Sequence, residues 1–178
     1  MSKDTRNVAV IGLGSMGFGM AASALRGGHK VWGVDIDADR IARFQAEGGQ
    51  PTALADAGDT LDAVAVVVLN AAQTESVLFG DAGIVPRLRP GAVVLACATV
   101  PPEFARDMAT RCAAQGVLYL DAPISGSHAA VDARTITFMV GGSDATFQRV
   151  GPVLEKLSAD TTHTGAAGSG AVMKVVTN

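Results

Sequence analysis

The stretch VAVIGLGSMGFGMAASALRGGHKVWGVD, residues 8–35, decides the fold. A short apolar run meets the glycine pattern GLGSMG, an alanine-rich segment follows, and a second apolar run ends at Asp35. This order predicts a strand, a tight turn, a helix, a second strand and a terminal acid. Proteins use that arrangement to bind the pyrophosphate of a dinucleotide.

Each glycine of the turn has a physical reason. Gly12 permits the tight turn out of the strand, Gly14 lets the backbone approach the pyrophosphate, and Gly17 lets the helix pack closely on the strand. The helix N-terminus then presents N–H groups and a partial positive charge to the phosphates. The predicted cofactor-binding turn is Gly12, Leu13, Gly14, Ser15, Met16 and Gly17.

Asp35 indicates which dinucleotide is bound. It lies 18 residues after Gly17, where a carboxylate accepts hydrogen bonds from the ribose hydroxyls of the adenosine. A carboxylate there repels a 2′-phosphate, and Asp37 adds negative charge, while the nearest arginine is Arg40. NAD is therefore predicted in preference to NADP. A glycine-rich turn that binds no ligand is the alternative.

Composition limits the possible functions of the chain. The 178 residues fit one domain, or one domain and the start of another. The net charge of −3 comes without a cluster of Lys or Arg, so neither nucleic acid nor a membrane surface is a predicted partner. The longest aliphatic run, residues 63–69, is too short to cross a bilayer. The polar start MSKDTRN is no secretory signal, and Cys97 and Cys112 are predicted to be reduced core residues of a cytoplasmic protein.

Strand and helix patterns alternate along the chain, which predicts an α/β fold: a Rossmann-type, doubly wound, mostly parallel sheet with helices on both faces. After the first strand, the expected strands are 30–34, 63–69, 93–96, 117–120, 136–140 and 161–164. The expected helices are 15–26, 37–47, 74–79, 101–115, 145–157 and 170–178. Residues 1–165 are expected to form the NAD-binding domain, and residues 166–178 the start of a longer helix.

Four polar residues fall at the carboxyl ends of predicted strands, where ligands of such sheets bind. They are Asp35, Asn70, Thr99 and Asp121. Four such residues at four strand ends are typical of a binding site. Each one alone could equally cap the local backbone.

Three motifs in order carry a family resemblance. GLGSMG (12–17) is followed by DAPISGS (121–127) with TFMVGG (137–142), and then by GAAGSGAVMKVVTN (165–178). With these motifs the chain resembles the β-hydroxyacid dehydrogenases, which include 3-hydroxyisobutyrate dehydrogenase and are related to 6-phosphogluconate dehydrogenase. The segments NAAQ, VLFG and LRPG, which begin at residues 70, 77 and 88, look most like the L-threonate dehydrogenase branch.

The resemblance implies roles for the matching positions. Lys174 corresponds to the catalytic acid/base and Asn178, four residues later on the same helix face, to a substrate-holding asparagine. Ser125-Gly126 corresponds to the pair that holds the substrate carboxylate. Asn70 and Thr99 correspond to positions near the nicotinamide. The implied activity is hydride transfer between NAD and a small carboxylate-bearing hydroxy acid, with L-threonate the first choice and no metal ion.

The sequence departs from the family at one point. The usual Ser-Gly-Gly is replaced by Ser125-Gly126-Ser127, followed by His128. His128 is expected to be an exposed loop residue, and the alternative is that it contacts the substrate. His29 and His163 are expected to be structural.

Family members continue beyond the last motif into a helical domain that closes the substrate site and supplies dimer contacts. The 178 residues are therefore expected to bind NAD but turn over poorly, with an apolar stripe exposed on the last helix. The complete enzyme is expected to be a homo-oligomer. The alternatives are a 3-hydroxyisobutyrate dehydrogenase, a tartronate semialdehyde reductase and a non-catalytic NAD-binding module. An imine reductase is disfavoured, because those enzymes typically replace the lysine at position 174.

Overall fold

Strands and helices alternate along the chain, of which the structure, a computed structural model, describes residues 5–177. The strands are β1 (Asn7–Ile11), β2 (Lys30–Val34), β3 (Ala63–Val66), β4 (Val93–Ala96), β5 (Leu118–Asp121), β6 (Ile124–Ser125), β7 (Thr137–Gly141) and β8 (Asp160–Gly165). The α-helices are α1 (Ser15–Arg26), α2 (Ala38–Ala46), α3 (Leu54–Ala57), α4 (Ala71–Phe79), α5 (Pro102–Ala113), α6 (His128–Asp132), α7 (Asp144–Leu157) and α8 (Ser169–Thr177). Short 3₁₀ turns occupy Gly58–Thr60 and Val85–Arg87.

The first five strands form a parallel sheet in the order β2-β1-β3-β4-β5. This confirms the predicted Rossmann-type fold. β7 runs antiparallel to β5 and β6, and β8 pairs in parallel with β7. Since β5 and β7 meet only at Asp121 and Gly141, the antiparallel part extends beyond the carboxyl end of β5.

Apolar side chains cover both faces of the sheet, as expected for parallel strands joined by helices. On one face, Met20 of α1 and Leu157 of α7 are fully buried with Phe44 of α2. On the other face, Leu78 of α4 and Met108 of α5 are fully buried. With helices packed on both faces, the carboxyl ends of the parallel strands lie together at one edge of the sheet.

The predicted strand 63–69 is wrong in its last three residues. β3 ends at Val66, and Leu69 is 85% exposed. The aliphatic run continues because residues beyond Val66 line an open groove at the edge of the sheet, where an apolar residue is accessible to solvent. An apolar run in the sequence does not show whether its residues lie in a buried strand or in the wall of an open groove.

Two short elements on either side of Ser127 were not predicted. They are β6, with two residues, and α6, with five, and both are too short to show a period. Ser127, which departs from the family pattern, is the N-cap of α6, and its Oγ accepts the Ala130 N–H at 3.3 Å. The extra side chain therefore stabilises a helix start.

The cysteines behave as predicted. Cys97 and Cys112 are both buried and free, and burial raises the pKa of each thiol to about 12. Within residues 5–177, no helix is long and apolar enough to cross a bilayer. The same residues hold no cluster of His, Cys, Asp or Glu that could bind a metal ion.

Candidate functional site

A groove with a volume of about 980 Å³ lies at the carboxyl edge of the parallel sheet. This volume is at the upper end of the range for small-molecule sites. Its walls include three of the predicted cofactor-binding residues, Gly12, Gly14 and Asp35. The groove is therefore the first candidate for the dinucleotide site.

The packing of the fold requires two glycines of the turn, because a Cβ at either position would collide with backbone. Gly12 has φ +98°, and a Cβ there would lie 2.1 Å from the carbonyl oxygen of Val67. A Cβ on Gly17 would lie 1.7 Å from the carbonyl oxygen of Gly12. The tight turn and the close helix packing expected from the sequence are therefore both present.

Gly14 is different, because no protein atom lies within 4 Å of the position that its Cβ would take. Its φ of −65° is also open to any residue. Gly14 is the N-cap of α1 and has no side chain to satisfy the first N–H groups of that helix. A glycine that the fold does not need, beside an uncapped helix start in the wall of a groove, fits a bound pyrophosphate.

Asp35 is fixed at the same turn. Its side chain is 6% exposed, and its Oδ2 accepts the Leu13 N–H at 2.6 Å. Oδ1 accepts the Asp37 N–H at 2.9 Å. Burial would raise the pKa of Asp35, but these hydrogen bonds and the charge of Arg40 outweigh it and hold that pKa below its usual value. The residue therefore presents a carboxylate to the groove at neutral pH.

Arg40, the arginine nearest to Asp35 in the sequence, contacts both acids of the site. Its guanidinium is 3.4 Å from a carboxylate oxygen of Asp35 and 3.4 Å from one of Asp37. Asp37 is the N-cap of α2, so Arg40 returns to the acids after one helical turn. The i,i+3 spacing of Asp37 and Arg40 is the signal that could have identified this pair.

Two exposed apolar side chains line the groove and were not predicted as site residues. Ile36 directly follows Asp35 and is 106% exposed, and Leu69 belongs to the segment after β3. Apolar side chains in a groove can pack against a flat aromatic base. Only their exposure distinguishes them from core residues, and a single sequence does not show exposure.

The polar residues predicted near the nicotinamide lie at the carboxyl edge but not in the wall of the groove. The Asn70 Oδ1 accepts the Gln73 N–H at 2.9 Å and caps α4. Thr99 is exposed in the loop between β4 and α5. Their contacts with a cofactor stay predictions.

The predicted substrate residues lie on elements that flank β7. Ser125 of β6 is exposed and pairs with Thr137 of β7. The helix α8 also contacts β7; it carries Lys174, which is half-buried, and its Thr177 Oγ1 lies 3.7 Å from the sulfur of Met139. Asn178 lies outside the described residues, and the catalytic roles stay predictions.

The predicted apolar stripe on α8 is present. Val172, Met173, Val175 and Val176 are all exposed. Within residues 5–177, only the first turn of this helix is buried, where it packs against β5 and β7. Its Gly170 and Ala171 are buried there.

Asp121 was grouped with the site residues, and the structure gives it another role. It is 1% exposed, and its Oδ1 accepts the Gly168 N–H at 2.7 Å. Its Oδ2 accepts the Ala171 N–H at 2.9 Å. The carboxylate is therefore closed off from the groove and anchors the N-terminus of the helix that carries Lys174.

His128 opens α6 and lies beside the glycine turn. Its Nδ1 is 2.8 Å from the carbonyl oxygen of Ser15, so Nδ1 carries a proton and donates to it. Its Nε2 is 3.9 Å from Asp132. The expected exposure of His128 is confirmed, although the residue lies in a helix and not in a loop.

Comparisons with known proteins agree with this geometry. Residues 7–165 match the family model described as the NAD binding domain of 6-phosphogluconate dehydrogenase. Over 174 residues the chain is 42% identical to an L-threonate dehydrogenase from Cupriavidus necator, and the match covers 97% of this chain and 59% of the relative. A 3-hydroxyisobutyrate dehydrogenase from Pseudomonas aeruginosa is 36% identical over 173 residues, with coverage of 97% and 58%.

A solved structure gives the same result. The 3-hydroxyisobutyrate dehydrogenase from Salmonella typhimurium superposes with a TM-score of 0.91 at 32% identity, covering 97% of this chain and 61% of that one. The chain thus spans about six-tenths of the length of the proteins that it matches.

Proposed function

The chain belongs to the family of NAD-binding domains of the 6-phosphogluconate dehydrogenase type, and on that premise we propose that it is the cofactor-binding part of an NAD-dependent hydroxy-acid dehydrogenase. The observation that carries the proposal is Gly14. Its side-chain position is open to the groove, next to the uncapped N-terminus of α1 and the Asp35 carboxylate.

The residues of the groove each contribute to holding the dinucleotide. The N–H groups at the start of α1 face the pyrophosphate, and Asp35 accepts hydrogen bonds from the adenosine ribose. Ile36 and Leu69 shield the base from water. NAD bound in this way supplies the hydride acceptor of the reaction.

We favour NAD over NADP because the Arg40 guanidinium is already shared by two carboxylates. A 2′-phosphate would have to displace that pairing and would lie against Asp35. The repulsion between two anions at hydrogen-bonding distance then opposes NADP.

Calorimetric titration of the chain with NAD and NADP tests the cofactor. NAD is expected to bind at least about tenfold more tightly than NADP, and Asp35→Ala should remove most of that preference because it removes the repelling carboxylate. Gly14→Ala should weaken NAD at least about tenfold, since the new Cβ occupies ligand space.

Gly151→Ala is the matched control, because its added Cβ also meets no atom within 4 Å but lies outside the groove, on α7. It should bind NAD like the wild type. Equal losses in the two glycine variants, or no binding by the wild type, would overturn the cofactor assignment.

We propose L-threonate as the substrate of the complete protein. Support comes from the 42% identity with the Cupriavidus necator L-threonate dehydrogenase. Lys174 would exchange the proton of the substrate hydroxyl as acid/base. Ser125 and Gly126 would hold its carboxylate together with Asn178. 3-Hydroxyisobutyrate is the second candidate, favoured by the Pseudomonas aeruginosa relative and the Salmonella typhimurium structure.

A chimera tests both the substrate and the lysine. This chain would replace the matching 59% of the Cupriavidus necator enzyme, and NADH formation would be followed with L-threonate and with 3-hydroxyisobutyrate. We expect a higher kcat/KM for L-threonate. Lys174→Met should lower kcat by about 10²-fold or more, and Lys156→Met, on α7, should leave it unchanged.

Retained activity in the Lys174→Met chimera would contradict the acid/base role of Lys174. Faster turnover of 3-hydroxyisobutyrate would contradict L-threonate as the substrate and favour 3-hydroxyisobutyrate. The division at residue 165, the cytoplasmic location and the homo-oligomeric state of the complete protein remain part of the proposal. The 178 residues alone are expected to bind NAD with little turnover, because a water-excluding wall is needed for catalysis.

A further inference from the structure

A second cavity lies at the opposite edge of the sheet, where the parallel strands begin. Its volume is about 410 Å³, within the range of small-molecule sites. Ala63 of β3 and Val93 of β4 line it, and Val150 and Val153 of α7 complete its buried apolar wall. The other lining residues include three arginines, Arg6, Arg89 and Arg149.

Arg89 is the arginine of this cavity that has an acidic partner. It forms an ion pair with Asp62, and its Nε donates to the carbonyl oxygen of Leu61 at 3.1 Å. The second carboxylate oxygen of Asp62 accepts the Asn7 N–H at 2.8 Å. Asp62 is the only acid among the described residues that line this cavity; both of its oxygens are therefore occupied, and its charge balances one arginine.

Arg6 and Arg149 have no acidic partner of this kind among residues 5–177. Within the described chain, no carboxylate lies within 4 Å of either guanidinium. Arg149 packs over the turn at Gly91, where its Nη2 would lie 3.0 Å from an added Cβ. Gly91 has φ +80°, so the turn carries no side chain at this point, and the Arg149 guanidinium occupies the space next to it.

His29, which is buried next to this edge, responds to the same positive charge. Burial lowers the pKa of His29, and the charges of Lys156 and Arg6 lower it further, against the opposing effects of the hydrogen bond to Pro152 and the charge of Asp62. Its ring is held neutral by an Nδ1 that accepts the Arg6 N–H at 3.1 Å and an Nε2 that donates to the carbonyl oxygen of Pro152.

We propose that this cavity binds a small organic or inorganic phosphate dianion between Arg6 and Arg149. Both arginines line the same cavity, and a dianion bound there would balance both charges. Each planar guanidinium can donate two parallel hydrogen bonds to phosphate oxygens. A phosphate can accept such pairs from two arginines at once, whereas a single carboxylate cannot. The site is separate from the cofactor groove and does not depend on the proposed enzyme activity.

Amide chemical shifts of the isotopically labelled chain, titrated with inorganic phosphate at low salt, test the proposal. We expect saturable shifts at residues 62–63, 89–93 and 148–153. Arg6→Gln and Arg149→Gln should each weaken phosphate binding there at least about tenfold, because charge-assisted hydrogen bonds are lost. Acetate, a monoanion, should bind at least about tenfold more weakly than phosphate.

Arg43→Gln is the matched control, since it removes the same charge from α2, where the guanidinium packs on the Phe18 ring outside the cavity. It should bind phosphate like the wild type. Shifts confined to residues 12–18 would mean that phosphate binds only the cofactor turn. That result, non-saturating shifts, or unchanged affinity in both arginine variants would overturn the proposal.

Discussion

The helices α1 and α8 both begin after glycine-rich turns, and a strand-end carboxylate holds each turn in a different way. At α1, Asp35, which follows β2, accepts one N–H of the glycine turn, that of Leu13, before the helix begins. At α8, Asp121 of β5 accepts the N–H groups of Gly168 and Ala171, so it occupies the helix start itself. The first helix is left open for an external anion and the second is satisfied internally.

This difference shows that a glycine turn before a helix does not by itself define a phosphate site. A helix start binds a ligand only if its N–H groups have no acceptor within the protein. The Asp121 carboxylate also connects β5 to the helix of Lys174, which fixes where that side chain is presented. The turn before α1 is open to a ligand, whereas the turn before α8 positions Lys174.

The largest expected effect follows from removing the carboxylate at α8. Asp121→Asn keeps the size of the side chain but loses the charge and turns an amide donor toward backbone N–H groups. Because hydrogen bonds to a buried charged group contribute about 1.5–3 kcal/mol each, the variant should lose about 4 kcal/mol of unfolding free energy. Urea denaturation measures this loss.

Asp132→Asn serves as the control for that measurement. Asp132 is exposed on α6, so its variant should change the unfolding free energy by less than about 0.5 kcal/mol. Similar midpoints for the two asparagine variants would show that Asp121 does not anchor α8.

A smaller effect is expected from adding one methyl group to each turn. A Cβ on Gly170 would lie 2.3 Å from the carbonyl oxygen of Met139, whereas one on Gly14 would meet no atom within 4 Å. Gly170→Ala should therefore destabilise the protein by about 2–3 kcal/mol, as overpacking does. Gly14→Ala should lose less than about 1 kcal/mol, the usual difference at an N-cap.

Thermal and urea unfolding of the two alanine variants give this comparison without any ligand. If Gly14→Ala were as unstable as Gly170→Ala, Gly14 would be needed by the fold, and its openness would no longer point to a cofactor. If both variants were stable, the close packing of α8 on β7 would be wrong.

The contrast between the helices also shows what the sequence could predict. The bounds of α1, β2 and β4 follow from local apolar patterns and turn glycines, and the predicted and observed ranges agree. The partner of Asp121 lies 47 residues away in the sequence, so no local pattern identifies it.

The groove was predictable in part for the same reason. Gly12, Gly14 and Asp35 belong to one continuous motif and were all placed in its wall. Ile36 and Leu69 were missed, because an apolar residue after a strand looks like core until the fold leaves its surface open.

The smallest expected effect is the pH dependence at α1. The pKa of Asp35 is lowered in the folded protein, so its charge stabilises the fold above the unfolded pKa of about 4, and this contribution disappears as the pH falls through the folded pKa. Asp35→Asn removes the contribution. The unfolding free energy of the wild type should therefore exceed that of the variant by no more than about 1 kcal/mol at pH 7, and the two values should converge as the pH falls below about 4. Urea midpoints measured at several pH values test this, with Asp39→Asn as the exposed control on α2. A difference that stays constant down to pH 2 would mean that the Asp35 charge does not hold the turn, and the distinction between the two helix starts would then depend on α8 alone.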